Sequence, residues 1–310
     1  MALGNGGRVN IVITNQVLRY SFHKNASVDS LVNHGEIVLP EGTIKDGTIH
    51  NKPALIGVLK ELVHKHKWGR KKLHFCVPDD TVVIRQLEVP LALSRAEIKG
   101  YVKTQIGTSL YLPFANPALD VELLDADKEI QKILLFAYPK DKLDEFIAVF
   151  TEVGLKPVVA DLTSLSVYRY YYHQKKNKNN DVLLIHWNND SLVLTAFNKH
   201  QAVFTRYRNL DNYTSDEQMI NEQIIEINRI IDFYQFNITN GSSSITRLLL
   251  SGDFSKLQQV KSELLDRFTI PIDLVAEINQ IQDTPTKYTD VLGLAMKKDT
   301  HWRSSNEFGN

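Results

Sequence analysis

Two stretches of this chain, about 170 residues apart, follow one plan: "VNIVITNQVLRYSF" (residues 9–22) and "DVLLIHWNNDSLVL" (181–194). Each is a short apolar run rich in β-branched or aliphatic residues, a polar turn without glycine, and a second apolar run, which is the pattern of a β-hairpin. A third strand and then helices are expected after each copy. Such a repeat is too long in period for a solenoid and points to duplication of an α/β module. The 310 residues are enough for two modules of this kind.

Between the hairpins, "KPALIGVLKELVHKHK" reads as a helix with Leu55, Val58, Leu59 and Leu62 on one face and Pro53 in its first turn. "KKLHFCVP" and "TVVIRQLEVP" read as strands. Ser94 and Glu97 form a capping box that opens a helix running to about Tyr111. "ALDVELLD" and "KILLFAYP" alternate as an antiparallel pair, followed by a helix, Gly154 as its stop, and a strand. This helix-strand-strand-helix-strand unit, 92–160, is expected to be a small subdomain. The boundaries follow: a first half from 1–91 and 161–178, the inserted subdomain at 92–160, a second half at 181–298, and a loose tail at 299–310. In the second half a long helix carries Ile220, Ile224, Ile227, Ile231 and Tyr234 on one face, with Ser215 and Gln218 as its capping box. A later helix is expected to bury Leu257, Val260, Leu264 and Leu265.

Composition narrows the function classes. Lys plus Arg and Asp plus Glu both number 36, so the chain has no global attraction to nucleic acid or anionic lipid. The single cysteine, Cys76, sits in an apolar run as a structural thiol and cannot form an internal disulfide. No stretch has the roughly 20 apolar residues of a membrane span, and residues 1–8 carry no signal-like apolar segment, so a cytoplasmic location is expected. There is no Walker loop, nucleophile elbow or His-Glu-x-x-His.

Two α/β halves that each open with a β-hairpin resemble the actin-like ATPase fold, and the insertion narrows the likeness. "IRQLEVPLALSRAEIKGYVKTQIGTSLYLPFANPALDVELL" and "KLDEFIAVFTEVGLKPVVADLTSLSVYR" resemble the type IV pilus assembly protein PilM family, in the class of PilM and FtsA. "EINRIIDFYQF", "RLLLSGDFSKLQQVKSELLDRFTIPIDL" and "DVLGLAMKK" continue the likeness, which covers roughly 9–298. It implies an α/β actin-like fold: two duplicated halves with a small inserted α+β subdomain.

In such proteins ATP lies between the halves. The hairpin turns approach its phosphates, and a Gly-rich strand-to-helix turn faces the nucleoside. Active members read Asp-Ile-Gly, three small or polar residues and Val-Lys in the first hairpin. Laid on this chain, the resemblance puts Val12 at the aspartate, Thr14 at the glycine and Leu18-Arg19 at Val-Lys. In the second hairpin His186 falls at the aspartate and Asn188 at the glycine. At the third place Gly252-Asp253 stands for Gly-Gly. Glycine lets backbone N–H groups approach phosphate, and magnesium wants hard oxygen ligands. Val12 supplies neither, and His186 is a poor magnesium ligand. These departures point to an actin-like scaffold without catalysis or cofactor; the alternative is a working ATPase with ATP and magnesium.

The resemblance also implies a partner: a PilN-like bitopic inner-membrane protein, bound by its short N-terminal cytoplasmic peptide in a groove between the first half and the subdomain. The connection holding Leu112, Pro113 and Phe114 is the candidate wall, against the reading of a buried subdomain corner. An assembly ATPase is a second expected partner, and nucleic acid is not expected. The expected role is an adaptor of a pilus, competence or secretion machine, peripheral at the inner face of the membrane. Filament formation is a third reading. Three other features have ordinary explanations beside functional ones. The basic run His64–Lys72 ends a helix, Tyr168, Tyr171 and Tyr172 have helical packing spacing, and Asp79-Asp80 is a polar turn.

Overall fold

The first hairpin forms as its residues dictate. β1 (Arg8–Ile13) and β2 (Val17–His23) pair antiparallel, Val12 opposite Arg19, and β3 (Leu31–Val38) adds to the free side of β2. The computed structural model describes residues 6–126, 129–175, 181–277 and 286–298. A two-strand finger follows, β4 (Ile44–Lys45) and β5 (Thr48–Ile49). Next comes α1 (Lys52–His66), whose first turn is capped by Asn51 accepting from the Ala54 N–H at 3.1 Å. β6 (Lys72–Val77) then enters parallel to β1. Leu55, Leu59 and Leu62 of α1 are buried as expected, while Val58 is half-buried.

The next strand leaves this sheet. β7 (Val83–Pro90), α2 (Arg95–Gln105), β8 (Pro117–Ala126) and β9 (Ile130–Pro139) build a separate three-stranded sheet in the order β7-β9-β8. Its core is Val89, Ile98, Val102, Leu110, Val121, Ile133 and Leu135. The Ser94–Glu97 capping box is present, and α2 ends at Gln105, earlier than expected. α3 (Lys140–Glu152) and β10 (Lys156–Leu162) return to the first half: β10 lies parallel to β6, and Phe150 of α3 packs on Phe75 with ring centroids 5.0 Å apart. The subdomain expected at 92–160 is therefore corrected to 83–139. The strand before Pro90 belongs inside it. The helix and strand after Pro139 belong outside it, because Phe146 and Phe150 fill the core of the first half.

α4 (Thr163–Lys175) crosses to the second half; residues 176–180, which include the end of the expected 161–178 segment, lie outside the described residues. β11 (Val182–Trp187), β12 (Ser191–Asn198) and β13 (Gln201–Asn209) repeat the opening hairpin and third strand. α5 (Asp216–Phe233) then leads through a π-helical turn (Tyr234–Ile238) into β14 (Arg247–Ser251), α6 (Leu257–Arg267) and β15 (Ile272–Leu274). Sheet orders β3-β2-β1-β6-β10 and β13-β12-β11-β14-β15 are the same arrangement, so the duplication read from the two hairpins is present strand for strand. In α6 Val260 and Leu264 are buried, but Leu265 is 53% exposed, a correction to the expected stripe.

α7 (Thr289–Ala295) returns to pack on α4, β1 and β2. The α4–α7 approach needs a glycine: a Cβ on Gly293 would lie 1.9 Å from the Ser166 carbonyl oxygen. The tail at 299–310 lies outside the described residues. Among the described residues no helix is long and apolar enough to cross a membrane.

Candidate functional site

The two hairpin turns face each other across the cleft between the halves, and each fixes its backbone differently. In the first, the Thr14 N–H donates to the Val17 carbonyl at 2.9 Å. Thr14 Oγ1 accepts from the Gln16 and Val17 N–H groups at 3.2 and 3.1 Å. The Asn15 N–H crosses the cleft to Asp190 Oδ2 at 3.2 Å, and Asn15 Oδ1 accepts from the Gly47 N–H at 3.2 Å. All four N–H groups from Thr14 to Val17 are thus engaged by this chain. Val12 is buried among apolar neighbours, opposite Arg19 and Cys76.

In the second hairpin, the Asn188 N–H closes the turn on the Ser191 carbonyl at 2.8 Å, and the Asn189 N–H donates to Asp253 Oδ1 at 3.0 Å. His186 and Trp187 are buried, and Trp187 stacks on Phe254 at 5.6 Å. Among the described residues neither ring nitrogen of His186 has a partner, nor do Trp187 Nε1 and Asn188 Oδ1. Burial, with Arg19 nearby, pushes His186 down to about 4, so this residue stays neutral and apolar in effect. Gly252 has its own structural reason. Its φ is +122°, and a Cβ there would stand 1.9 Å from the Trp187 carbonyl oxygen, which also accepts from the Phe254 N–H at 3.1 Å.

The side chain that joins these pieces is Arg19, which the sequence placed but did not connect. It is wholly buried, and its guanidinium is shared by three carboxylates. Nε donates to Glu36 Oε2 at 2.8 Å, Nη1 to Asp290 Oδ2 at 2.9 Å, and Nη2 to Asp253 Oδ2. Lys287 donates to the other Glu36 oxygen at 2.7 Å. Burial alone would lower the Arg19 pKa; the Asp290 and Asp253 carboxylates outweigh it and raise it. Glu36 is lowered by Lys287 and Arg19 against the opposing effect of burial. Asp253 thus links both hairpins, holding Arg19 of one and the Asn189 N–H of the other. Its partnership with Arg19 explains the acid beside Gly252.

What remains of the cleft is small. A cavity of about 40 Å³ lies between the turns, lined by Thr14, Asn15, Asp79, Asn188, Asp190 and Tyr207 among others. Asp79 and Asp80 prove to be more than a polar turn. Asp79 accepts from Thr163 at the start of α4, and burial raises it to about 7. Asp80 accepts from Lys142 Nζ at 2.7 Å. A second cavity of about 280 Å³ opens on the far side of Asp253, bounded by Gly252, Phe254, Gln258, Leu274 and Lys287. Among the described residues no group of three His, Cys, Asp or Glu is placed to hold a metal ion.

The other candidates lie apart from the cleft. Leu112 packs against the subdomain core, Phe114 is half-buried and Pro113 is exposed, as is Tyr111 at 74%. Their connection meets the start of α3, where the Lys140 N–H donates to the Asn116 carbonyl at 2.8 Å and Asn116 Nδ2 donates to Asp141 at 3.0 Å. The stretch therefore stands where subdomain and first half join. Tyr168 and Tyr171 are packing residues, Tyr168 stacking on Phe197 at 3.8 Å, while Tyr172 is 40% exposed.

Residues 14–222 match the family model of the type IV pilus assembly protein PilM. None of the curated protein sequences matches the chain. Among solved structures, a chain of the PilM-PilN type IV pilus biogenesis complex is similar with a TM-score of 0.76 at 17% identity, covering 93% of this chain and 97% of that one. A Bacteroides thetaiotaomicron protein with an actin-like ATPase fold and unknown function has a TM-score of 0.52 at 12% identity, covering 95% and 97%. The ethanolamine utilization protein EutJ of Carboxydothermus hydrogenoformans has a TM-score of 0.50 at 9% identity, covering 94% and 89%. At these identities the structures establish a shared actin-like fold.

Proposed function

The chain belongs to the family of the type IV pilus assembly protein PilM, and from that premise we propose that it is a nucleotide-independent adaptor of a pilus-type assembly machine. It holds the short cytoplasmic tail of a PilN-like inner-membrane protein and relays that attachment to the assembly motor. The observation that carries this reading is Arg19, the cation that the resemblance puts beside phosphate, held instead by Glu36, Asp253 and Asp290.

A magnesium triphosphate does not suit these residues. The turn N–H groups that would clasp phosphate are engaged by Thr14, Asp190 and Asp253. The cavity between the turns, where the resemblance puts the phosphates, is only about 40 Å³. Val12 and His186, at the two places where the resemblance puts aspartate, offer magnesium no oxygen. Fold closure, which nucleotide serves in an active relative, is supplied by the chain's own charges. The connection at Leu112–Phe114 gives the tail a place at the junction of subdomain and first half. The working-ATPase reading has one observation on its side: the 280 Å³ cavity beside Gly252, where the resemblance puts the nucleoside.

Calorimetry with Mg-ATP separates the two readings: no heat up to millimolar nucleotide is expected, and micromolar binding would overturn the adaptor reading. In parallel, a peptide of about ten residues from the tail of the neighbouring membrane protein should be retained in a pull-down. Retention of a folded domain alone, or of nothing, would count against it.

A further inference from the structure

The structure also carries a feature that the cleft and tail groove leave unused, at the opposite end of the first half. There the last turn of α1 ends in Lys65 and His66, the chain continues through Lys67, Arg70, Lys71 and Lys72, and Lys156 joins from a distant segment. The Arg70 N–H donates to the Gly154 carbonyl at 2.7 Å and the Lys156 N–H to the Lys71 carbonyl at 2.9 Å, so the two segments are laced into one surface. β1, β6 and β10 then begin side by side with Arg8, Lys72 and Lys156 in register. Like charges directly opposite on neighbouring strands oppose pairing.

Two of these cations also stand on strained backbone. Lys67 has φ +56° and Arg70 φ +64°, in the left-handed region that glycine or asparagine enters at least cost. The helix C-terminus accounts for a cation at Lys67; Arg70 lies beyond its reach. Lys65, Lys67, Arg70, Lys72 and Lys156 are exposed. Among the described residues Lys65, Lys67, Arg70 and Lys156 have no carboxylate partner, since Glu152 pairs with Lys52. The aromatic residues here are covered: Trp68 is 2% exposed, with His66 stacked on it at 4.6 Å, and Lys71 lies over Phe22.

We infer that this corner is a docking face for an anionic lipid surface. Clusters of four to eight exposed Lys and Arg bind acidic headgroups through charge alone. Single-strand nucleic-acid binders need exposed aromatic faces, and this corner hides its rings. The choice of lipid over other polyanions rests on the membrane-side role proposed above. The face would give the protein a second hold on the membrane, independent of the tail it grips.

The test is co-sedimentation of the whole protein with vesicles of phosphatidylcholine alone, and of phosphatidylcholine with about one part in three phosphatidylglycerol, at low and high salt. Binding to the acidic vesicles that is lost at high salt, and falls about tenfold or more in a Lys67→Asn, Arg70→Asn double variant, is the expected result. That variant should melt no lower than the parent, because asparagine tolerates the left-handed conformation. Equal binding to both vesicle types, or an unchanged double variant, would overturn the inference. So would capture of a single-stranded oligonucleotide without capture of vesicles. If the tail peptide is retained in the pull-down and acidic vesicles are not bound, this inference fails while the adaptor reading stands. Vesicle binding without peptide retention has the opposite meaning.

Discussion

In the first hairpin a threonine hydroxyl, an asparagine and a buried arginine satisfy the turn and its neighbours. In the second, built on the same strand order, four polar atoms at the turn end, on His186, Trp187 and Asn188, are buried without a partner among the described residues. The two such atoms of the first hairpin, Asn10 Oδ1 and His23 Nε2, lie in its strands away from the turn. The difference tracks where each turn finds its support. The first is closed by Thr14 and borrows Asp190 from the other half, to whose Asp253 it sends Arg19. The second closes on its own Ser191 carbonyl and is held within its own half, by Asp253 and by the close approach of Gly252 to Trp187. Duplication preserved the framework in both copies. A turn's backbone can be satisfied by whatever group stands nearest, and the two copies found different answers.

The largest test of this contrast is Arg19→Met. It leaves Glu36, Asp253 and Asp290 without their shared cation in a buried setting, which costs about 3–5 kcal/mol for a broken buried ion cluster. Denaturant unfolding reads it directly. Adding Asp253→Leu to the same chain should recover part of the loss, since an isolated buried acid is then removed. A loss of under about 1 kcal/mol in the single variant would mean that the halves are held by α4 and α7 alone and that the charge network is incidental.

Acid acts on a buried histidine in each hairpin. His186, in the second, is neutral because burial, aided by Arg19, pushes it down to about 4. His23, at the end of β2, is pushed to about 4 mainly by burial. For a histidine whose folded pKa is depressed, stability is fully present above the unfolded value near 6.5 and is lost as pH falls through about 4. Each contributes up to roughly 3 kcal/mol over that window. Asp79 has the opposite sign: burial raises it to about 7, so its contribution is present at low pH and disappears as pH rises through that value. His186→Leu should therefore flatten part of the acid limb of the stability curve between about pH 6.5 and 4 while leaving the limb near pH 7 unchanged. An acid limb as steep as the parent's would show that His186 is already partnered.

The duplication and the helices could be read in the sequence because apolar spacing encodes local structure: the two hairpins, Leu55–Leu62 and the Ser94–Glu97 cap all lie where expected. The edge of the subdomain could not. Val83–Pro90 looks like any alternating strand, and period alone does not say which sheet a strand joins. Arg19 illustrates the same limit at the site. Its partners Asp253 and Asp290 are 234 and 271 residues away, and no local pattern announces them. A signal was present nonetheless: an arginine in the hairpin expected near the phosphates and an aspartate at the turn expected near the nucleoside are complementary charges. Gly252 is the reverse case, a residue that the resemblance reads as part of a ligand site and that a neighbouring carbonyl requires. Leu265 reads as core by spacing and is exposed because α6 buries only the narrower Val260–Leu264 line.

The smallest expected effect is also the most direct comparison of the two turns. Thr14 Oγ1 accepts two backbone N–H groups, one of them exposed enough for water to replace it, so Thr14→Ala should cost about 1 kcal/mol. Asn188 stands at the matching place, with Oδ1 unpartnered among the described residues and its backbone N–H closing the turn on Ser191. Asn188→Ala removes a buried oxygen with no partner among the described residues, so no hydrogen bond is lost and the cost should be smaller than the roughly 1 kcal/mol of Thr14→Ala. Unfolding midpoints of the two variants, measured side by side, decide the matter. If Asn188→Ala costs more than Thr14→Ala, the oxygen does have a partner, and the 40 Å³ cavity beside it has room for ordered water to be that partner. The second turn would then be satisfied by solvent as fully as the first is by threonine, and the asymmetry between the copies would lie in who supplies the bonds, not in how many are made.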